Sequence, residues 1–317
     1  MYYRSSLWLK EKSLFLIAGS ALLLSLPPRS WSQPQQPPSV SPQPVTTASS
    51  TLYITARSKD GSPVELSAAD LALKADGKPA LVQDIHRVSG IPLDYAILID
   101  NSGSERIHLE THRLEAKELL SKIVRPGRDH GILVNFNDHA YVDADSSNPQ
   151  DIVKALAKTD ARGGTALYDA MVASSDSMSK SRSDSDPVLR VMFILSDGED
   201  NASRVNRDTA VQAALKTGIR IYAIGETPDP DKPHNTARAT SALKDFAQRT
   251  GGKVYLPGKN QDATKIAADI AEELTNLFAV TYTPPQQKSD GQPHKLEIKS
   301  NKKAVSITAP DRYYVQP

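Results

Sequence analysis

The sequence predicts an α/β fold in which a doubly wound, mostly parallel sheet carries helices on both faces. Two observations support this prediction. Short apolar runs, typical of buried strands, alternate through the middle of the chain with segments whose apolar residues recur at helical spacing. The segments before and after this middle part instead have alternating patterns and Asp-Gly turns, which are typical of antiparallel strands.

The composition is that of an ordinary globular protein, long enough at 317 residues for more than one folded unit. Basic and acidic side chains number 38 and 37, for a net charge of +1, so no overall field favours nucleic acid. The chain has no cysteine, which excludes disulfides, thiol catalysis and cysteine-zinc sites.

Residues 1–32 have the features of a signal peptide. Basic residues precede an apolar run at 13–26, and the small residues Ser30 and Ser32 fit a cleavage site directly after them. The run has 14 residues, and a membrane span needs about 20, although an uncleaved anchor stays open. We therefore expect an exported protein, either secreted or in the periplasm or cell envelope. Residues 33–50, rich in Pro, Gln and Ser, are predicted to be a linker.

Two flanking segments, 51–90 and 279–317, are predicted to be rich in β-strands. Each contains alternating runs broken by Gly or Pro turns, and each is too small to be stable alone. We expect the two flanks to pair into one small β-rich unit.

The middle of the chain, 91–278, is predicted to be a single α/β domain. Its elements, in order, are a strand at 95–99, a helical pattern over 107–123, strands at 132–134 and near Tyr141, a helix at 167–178, a strand at 189–195, a helix at 210–216, a strand at 219–224, a helix at 242–248, a strand at 253–256 and a helix at 263–278.

Side chains with oxygen atoms are concentrated in three loops of this domain. In an open α/β sheet, ligands collect at the carboxyl ends of strands, near the point where the strand order reverses. Two of the loops directly follow predicted strands and the third enters a helix; they are Asp100-Asn101-Ser102-Gly103-Ser104, Ser196-Asp197-Gly198 and Gly163-Gly164-Thr165.

These residue types suit a hard divalent cation. Mg²⁺, or Mn²⁺ in its place, takes about six oxygen ligands and readily keeps water among them. Asp100 and Asp197 would supply charge, and Ser102, Ser104 and Thr165 would supply neutral oxygens. With only two full negative charges the metal stays electrophilic, so an open position would accept a carboxylate from a protein partner.

In order and spacing, these residues resemble the metal-ion-dependent adhesion site (MIDAS) of von Willebrand factor type A (VWA) domains, over about 91–278. The resemblance implies a Rossmann-like fold and a non-enzymatic, adhesion-type protein-binding module. It implies that the metal site is formed by Asp100, Ser102, Ser104, Thr165 and Asp197. The flanks are similar to those of a bacterial exported subgroup.

Two other functions stay open. The metal could merely hold the loops of a structural scaffold together. A metal-dependent phosphohydrolase on a similar sheet would also begin from an aspartate such as Asp100, but it needs a second acid two residues on, where this chain has Ser102. Neither a Gly-x-Ser-x-Gly motif nor a phosphate-binding Gly-x-x-x-x-Gly-Lys-Ser/Thr run is present.

Other polar residues have plainer interpretations. His108 and His112 are four residues apart and could share a metal, but they lack the His-Glu-x-x-His order, so a solvated helix face is predicted. Asp169, inside a helical pattern, is expected to be structural at least as readily as to lie near the metal. Asp138, with two aspartates that follow it, is predicted to be surface charge.

Overall fold

The computed structural model describes residues 49–181, 187–226, 233–257, 262–286 and 289–315. The predicted signal peptide, 1–32, and all but the end of the predicted linker lie outside the described residues. Among the helices of this part of the chain, none combines the length and apolar character needed to cross a membrane.

Strands and helices alternate through the middle of the chain, and the flanks consist of strands with one short 3-10 helix, Ala68–Asp70. The strands are β1 (Ser50–Ser58), β2 (Leu71–Ala75), β3 (Lys78–Pro79), β4 (Leu81–Arg87), β5 (Leu93–Asp100), β6 (His130–Phe136), β7 (Ala140–Ser146), β8 (Leu189–Leu195), β9 (Ile219–Ile224), β10 (Lys253–Tyr255), β11 (Phe278–Thr283), β12 (His294–Ser300), β13 (Val305–Thr308) and β14 (Arg312–Tyr313). The α-helices are α1 (Leu109–Ile123), α2 (Pro149–Leu156), α3 (Leu167–Lys180), α4 (Arg207–Lys216), α5 (Pro233–Thr250) and α6 (Ala263–Thr275).

The central sheet has the strand order β10-β9-β8-β5-β6-β7. Its pairings are parallel except for β7, which is antiparallel to β6. Every residue of β5 is buried, because helices cover both faces. Ile97 and Ile99 pack in a core with α1, α2 and α6, whereas Ala96 and Leu98 pack in a core with α3, α4 and α5. The predicted doubly wound α/β fold is confirmed.

The flanks form two antiparallel sheets with strand orders β13-β1-β11-β4 and β14-β12-β2-β3. Each sheet contains strands from both ends of the chain, as predicted. Their shared core includes Leu52, Ile54, Phe278, Val280 and Leu296. Neither flank has enough apolar surface to be stable alone, so each supplies the other's core.

Some predicted boundaries were wrong. The last helix was expected to reach Phe278, but it ends at Thr275 and Phe278 begins β11. Asn276 caps that end, and Phe278 belongs to the core of the flanks. Helix α2 was not predicted, although Asn148 and Pro149 mark its start: the Asn148 side chain accepts a hydrogen bond from Gln150 N at 3.1 Å.

This topology fixes where a ligand can bind. The strand order reverses at β5, which lies between β6 on one side and β8 on the other. Ile99 is in register with Leu195, so the loops that follow β5 and β8 leave the sheet side by side. Such a point in an open α/β sheet forms a crevice at the carboxyl ends of the strands.

Candidate metal centre

Asp100 is the last residue of β5 and is completely buried. One carboxylate oxygen, Oδ1, accepts a hydrogen bond from Ser102 N at 3.0 Å. The other, Oδ2, accepts one from Ser196 Oγ at 2.6 Å. Asp100 therefore holds its own loop in a tight turn and joins it to the loop that follows β8.

Ser102 and Ser104 bring their hydroxyl groups together after this turn. Ser102 is buried, Ser104 is exposed, and their Oγ atoms lie 3.0 Å apart. Two adjacent ligands of an octahedral ion with bonds of about 2.1 Å are about 3.0 Å apart. The two hydroxyls thus have the spacing that neighbouring ligands of Mg²⁺ require.

The loop that precedes α3 is joined to the first loop through backbone. Gly103 N donates to Gly163 O at 3.0 Å. Gly163 has a φ of +73°, and a Cβ there would lie 2.3 Å from Asp138 Oδ2, so no larger residue fits without a shift. Asp138 Oδ1 also accepts a hydrogen bond from Gly164 N at 2.7 Å, so Asp138 anchors this loop.

Thr165 follows these glycines and is buried. Its N–H donates to Asn201 Oδ1 at 2.8 Å, and its carbonyl accepts hydrogen bonds from the N–H groups of Asn201 and Ala202 at 3.0 Å each. The segment after β8 therefore fixes the threonine loop.

Asp197 is partly buried in the loop after β8, and its Oδ1 accepts a hydrogen bond from Glu199 N at 2.8 Å. Gly198 has a φ of +88° and lies so close to α5 that a Cβ would be 2.7 Å from Ala239 O. The glycine allows the chain to turn directly after Asp197, so that the aspartate stays at the strand end.

The two aspartates are costly to ionise in the absence of a cation. Burial raises the pKa of Asp100 to about 6, against the opposing hydrogen bonds from Ser196 and Ser102, and the nearby Glu105 adds to the rise. Burial likewise raises the pKa of Asp197 to about 7, with further contributions from Glu105 and Asp100. A divalent cation would favour the ionised form of both aspartates and so offset the cost of their burial and mutual repulsion.

The donor set fits such a cation. Two buried or half-buried carboxylates and three hydroxyls lie in three loops joined by hydrogen bonds, all at the crevice of the sheet. Hard oxygen donors of this kind suit Mg²⁺ or Mn²⁺.

In a comparison with protein families, residues 94–269 match the von Willebrand factor type A domain. The chain belongs to this family. VWA domains generally mediate interactions with other proteins and often hold a divalent metal at a MIDAS. No curated protein matches the chain at a significant level.

Three solved structures similar to this VWA protein have low identity. The von Willebrand factor type A protein from Catenulispora acidiphila is 12% identical, with a TM-score of 0.46, and the match covers 86% of this chain and 74% of that one. An aerotolerance-related membrane protein from Bacteroides fragilis is 16% identical, with a TM-score of 0.45 and coverage of 57% and 98%. Proximal thread matrix protein 1 from the mussel byssus, described with a zinc-occupied MIDAS motif, is 20% identical, with a TM-score of 0.44 and coverage of 62% and 48%. None of the three bears on the function of this chain.

A solvated helix face was predicted for His108 and His112, and this prediction is wrong for His112. Its side chain is 4% exposed and lies between two buried carboxylates of this VWA domain, Glu105 at 2.8 Å and Glu115 at 3.1 Å. Burial alone would lower the pKa of His112, but the two hydrogen-bonded carboxylates outweigh it and raise the pKa to about 10. The signal was its spacing from Leu109 and Ala116, which places His112 on the buried face of the helix.

Two other acids have roles that sequence reasoning described only in part. Asp138 was predicted to be surface charge, yet it holds the threonine loop through Gly164 N. Asp169 is structural: its Oδ1 accepts hydrogen bonds from the backbone N–H groups of Arg204 and Val205, and its Oδ2 contacts Arg204 Nε at 3.0 Å.

Proposed function

We propose that the chain is an exported, metal-dependent protein-binding module of the adhesion type. Mg²⁺ or Mn²⁺ would be held by Asp100, Ser102, Ser104, Thr165 and Asp197, and a protein partner would complete the coordination with an acidic side chain. The observation that carries this proposal is the hydrogen bonding that gathers the three loops at the reversal of strand order. Export is supported by the sequence of residues 1–32 alone.

The charge of the site supports binding to an acidic partner. Asp100 and Asp197 supply only two negative charges and the other predicted ligands are neutral, so the metal stays electrophilic and keeps affinity for a further anionic ligand. Ser104 is the most exposed of the predicted ligands near the crevice. Ile107, at the other end of the same short 3-10 helix, is 81% exposed. An exposed apolar side chain in the short helix that begins at Ser104 would add contact area for a partner whose carboxylate reaches the ion.

The site supports a non-enzymatic role better than phosphoryl transfer. The position two residues after Asp100, where a phosphohydrolase needs an acid, is Ser102, and its hydroxyl contacts Ser104. The next acid, Glu105, is buried and hydrogen-bonded to His112.

The test is capture of a protein partner from cell-envelope extract by immobilised residues 33–317, with Mg²⁺ or with a chelator. We expect one partner to be retained with Mg²⁺, lost with chelator and lost with Asp197→Ala. The matched control is Asp84→Ala, since Asp84 is an exposed acid on β4 in the sheet of the flanks. Circular dichroism would show that each variant is folded.

Two outcomes would contradict the proposal. Retention that is unchanged by chelator and by Asp197→Ala would indicate a scaffold whose metal only holds loops. Hydrolysis of a phosphate ester by the wild-type chain that Asp100→Asn abolishes would indicate an enzyme.

A further inference from the structure

A second group of metal-ligating side chains lies beside the predicted MIDAS. Glu105 belongs to the short 3-10 helix Ser104–Ile107, His112 to α1, and Glu226 to the segment after β9. One potential ligand atom from each of the three residues lies within 4.8 Å of the others. Side chains far apart in sequence are thus gathered at one point.

The imidazole of His112 is oriented as in a metal ligand. Its Nδ1 lies 3.1 Å from Glu115 Oε2, and its Nε2 lies 2.8 Å from Glu105 Oε2. A carboxylate on one ring nitrogen fixes the ring and directs the other nitrogen towards a metal, an arrangement common around protein-bound zinc. Glu115 would hold the ring, and Glu105 would share the ion.

Negative charge in this cluster is under-compensated. The side chains of Glu105 and Glu115 are 2% and 4% exposed. Glu226 Oε1 is buried and lies 2.7 Å from Nδ1 of the partly exposed His108. The cluster therefore has three carboxylates and two imidazoles, and only one of the imidazoles, that of His112, is buried. Buried charges are unfavourable unless they are paired or bind a metal.

We infer that Glu105, His112 and Glu226 form a second metal site, selective for a transition ion such as Zn²⁺. A nitrogen ligand with two carboxylates suits zinc better than magnesium, which takes oxygen ligands. The Zn²⁺ ion would take the place of the proton on His112 Nε2, and that proton would leave to solvent. Two positive charges would then stand in place of one among the same carboxylates. This site needs no protein partner and does not depend on the proposed function.

The three ligand atoms lie close to the spacing that one zinc ion requires. Tetrahedral zinc with bonds of about 2.0–2.2 Å places two ligand atoms about 3.3–3.6 Å apart. Glu105 and His112 already lie closer than that, so the adjustment falls on Glu226. The Glu226 side chain is 27% exposed and can move towards the other two.

The experiment measures zinc alone on residues 33–317 after removal of metal, by dialysis followed by elemental analysis. We expect Glu226→Gln to hold about one zinc ion fewer than the wild-type chain. With zinc also in the predicted MIDAS, the wild-type chain should hold about two ions and both Glu226→Gln and Asp197→Ala about one each. His112→Gln tests the nitrogen ligand. Its matched control is His294→Gln, because His294 also contacts two carboxylates, Asp76 at 2.8 Å and Asp290 at 3.1 Å, far along the chain.

X-ray absorption of the zinc retained by Asp197→Ala distinguishes the two sites, because only the second has an imidazole ligand. Imidazole scattering in that sample, lost with the added Glu226→Gln substitution, would support the inference. A zinc content unchanged by Glu226→Gln, or bound zinc without imidazole scattering in Asp197→Ala, would overturn it. Because Glu226 is partly exposed, Glu226→Gln is expected to fold, and its zinc content tests the inference even if His112→Gln does not fold. If the wild-type chain holds both zinc ions but captures no protein partner with Mg²⁺, only the proposed function is contradicted.

Discussion

Asp100→Asn should stabilise the metal-free protein while removing its response to Mg²⁺. Burial raises the pKa of Asp100 from 3.8 to about 6. Each pKa unit corresponds to about 1.4 kcal/mol, so ionised Asp100 lowers the free energy of unfolding by about 3 kcal/mol at pH 8. Asparagine has the same shape without the charge, and the variant should recover between about 1 and 3 kcal/mol, since one hydrogen bond of the carboxylate is weakened.

The effect should depend on pH in a defined direction. Because the folded-state pKa is raised, the protonated form favours the fold: this contribution is present below pH 4 and is lost as the pH rises through 6. The gain from Asp100→Asn should therefore be largest at pH 8, about half as large at pH 5 and nearly absent at pH 4.

Magnesium should reverse the order of stability. At a free concentration about 1,000 times its dissociation constant, a ligand adds about 4.1 kcal/mol to the free energy of unfolding, which exceeds the advantage of Asp100→Asn. The wild-type chain should gain this and Asp100→Asn should not. Urea unfolding with chelator and with Mg²⁺ measures both. Asp94→Asn is the matched control, since Asp94 is a buried aspartate at the opposite end of β5. A wild-type chain more stable than Asp100→Asn in chelator at pH 8 would refute the reasoning.

Two further predictions concern the loops. Asp197→Ala should lower Mg²⁺ affinity in calorimetry more than Ser102→Ala, because one removes a charge and the other a neutral oxygen; equal affinities would contradict this ranking. Gly163→Ala should lower the free energy of unfolding more than Gly127→Ala. Both glycines have a φ above +70°, a strain of about 1 kcal/mol for alanine, but only Gly163 adds a clash, with Asp138, of about 1–3 kcal/mol. Equal losses in urea unfolding would show that Asp138 gives way freely.

The elements most accurately predicted from sequence are the buried strands. The bounds of β8 and β9 agree with the prediction because an uninterrupted apolar run has few alternatives to a strand covered on both faces. Helix α5 was predicted only at 242–248 yet spans Pro233–Thr250, since its first half has no apolar periodicity to mark it.

The predicted metal ligands were chosen from residue type and loop position, both of which the sequence displays. The contacts around them were not accessible in this way. His112 and Glu115 lie on a helix face that the spacing of Leu109 and Ala116 marks as buried, but their polar side chains favour solvent exposure. Their burial depends on Glu105, which lies on another element, so only the three-dimensional pairing explains it.

The pairing of the two flanks has a consequence for the order in which the protein acquires its structure. Thr51 and Thr281, whose hydroxyls are 3.3 Å apart, are separated by 230 residues. The N-terminal strands leave the ribosome or a translocation channel long before β11 and β12 exist, so their edges stay open while the central domain is still emerging. Residues that pair within the central domain are closer in sequence than those that pair between the flanks, so the central domain can form first. Pairing of the two flanks would then be the slow, final step. Truncation after β10 should therefore leave an aggregation-prone chain rather than a smaller stable protein.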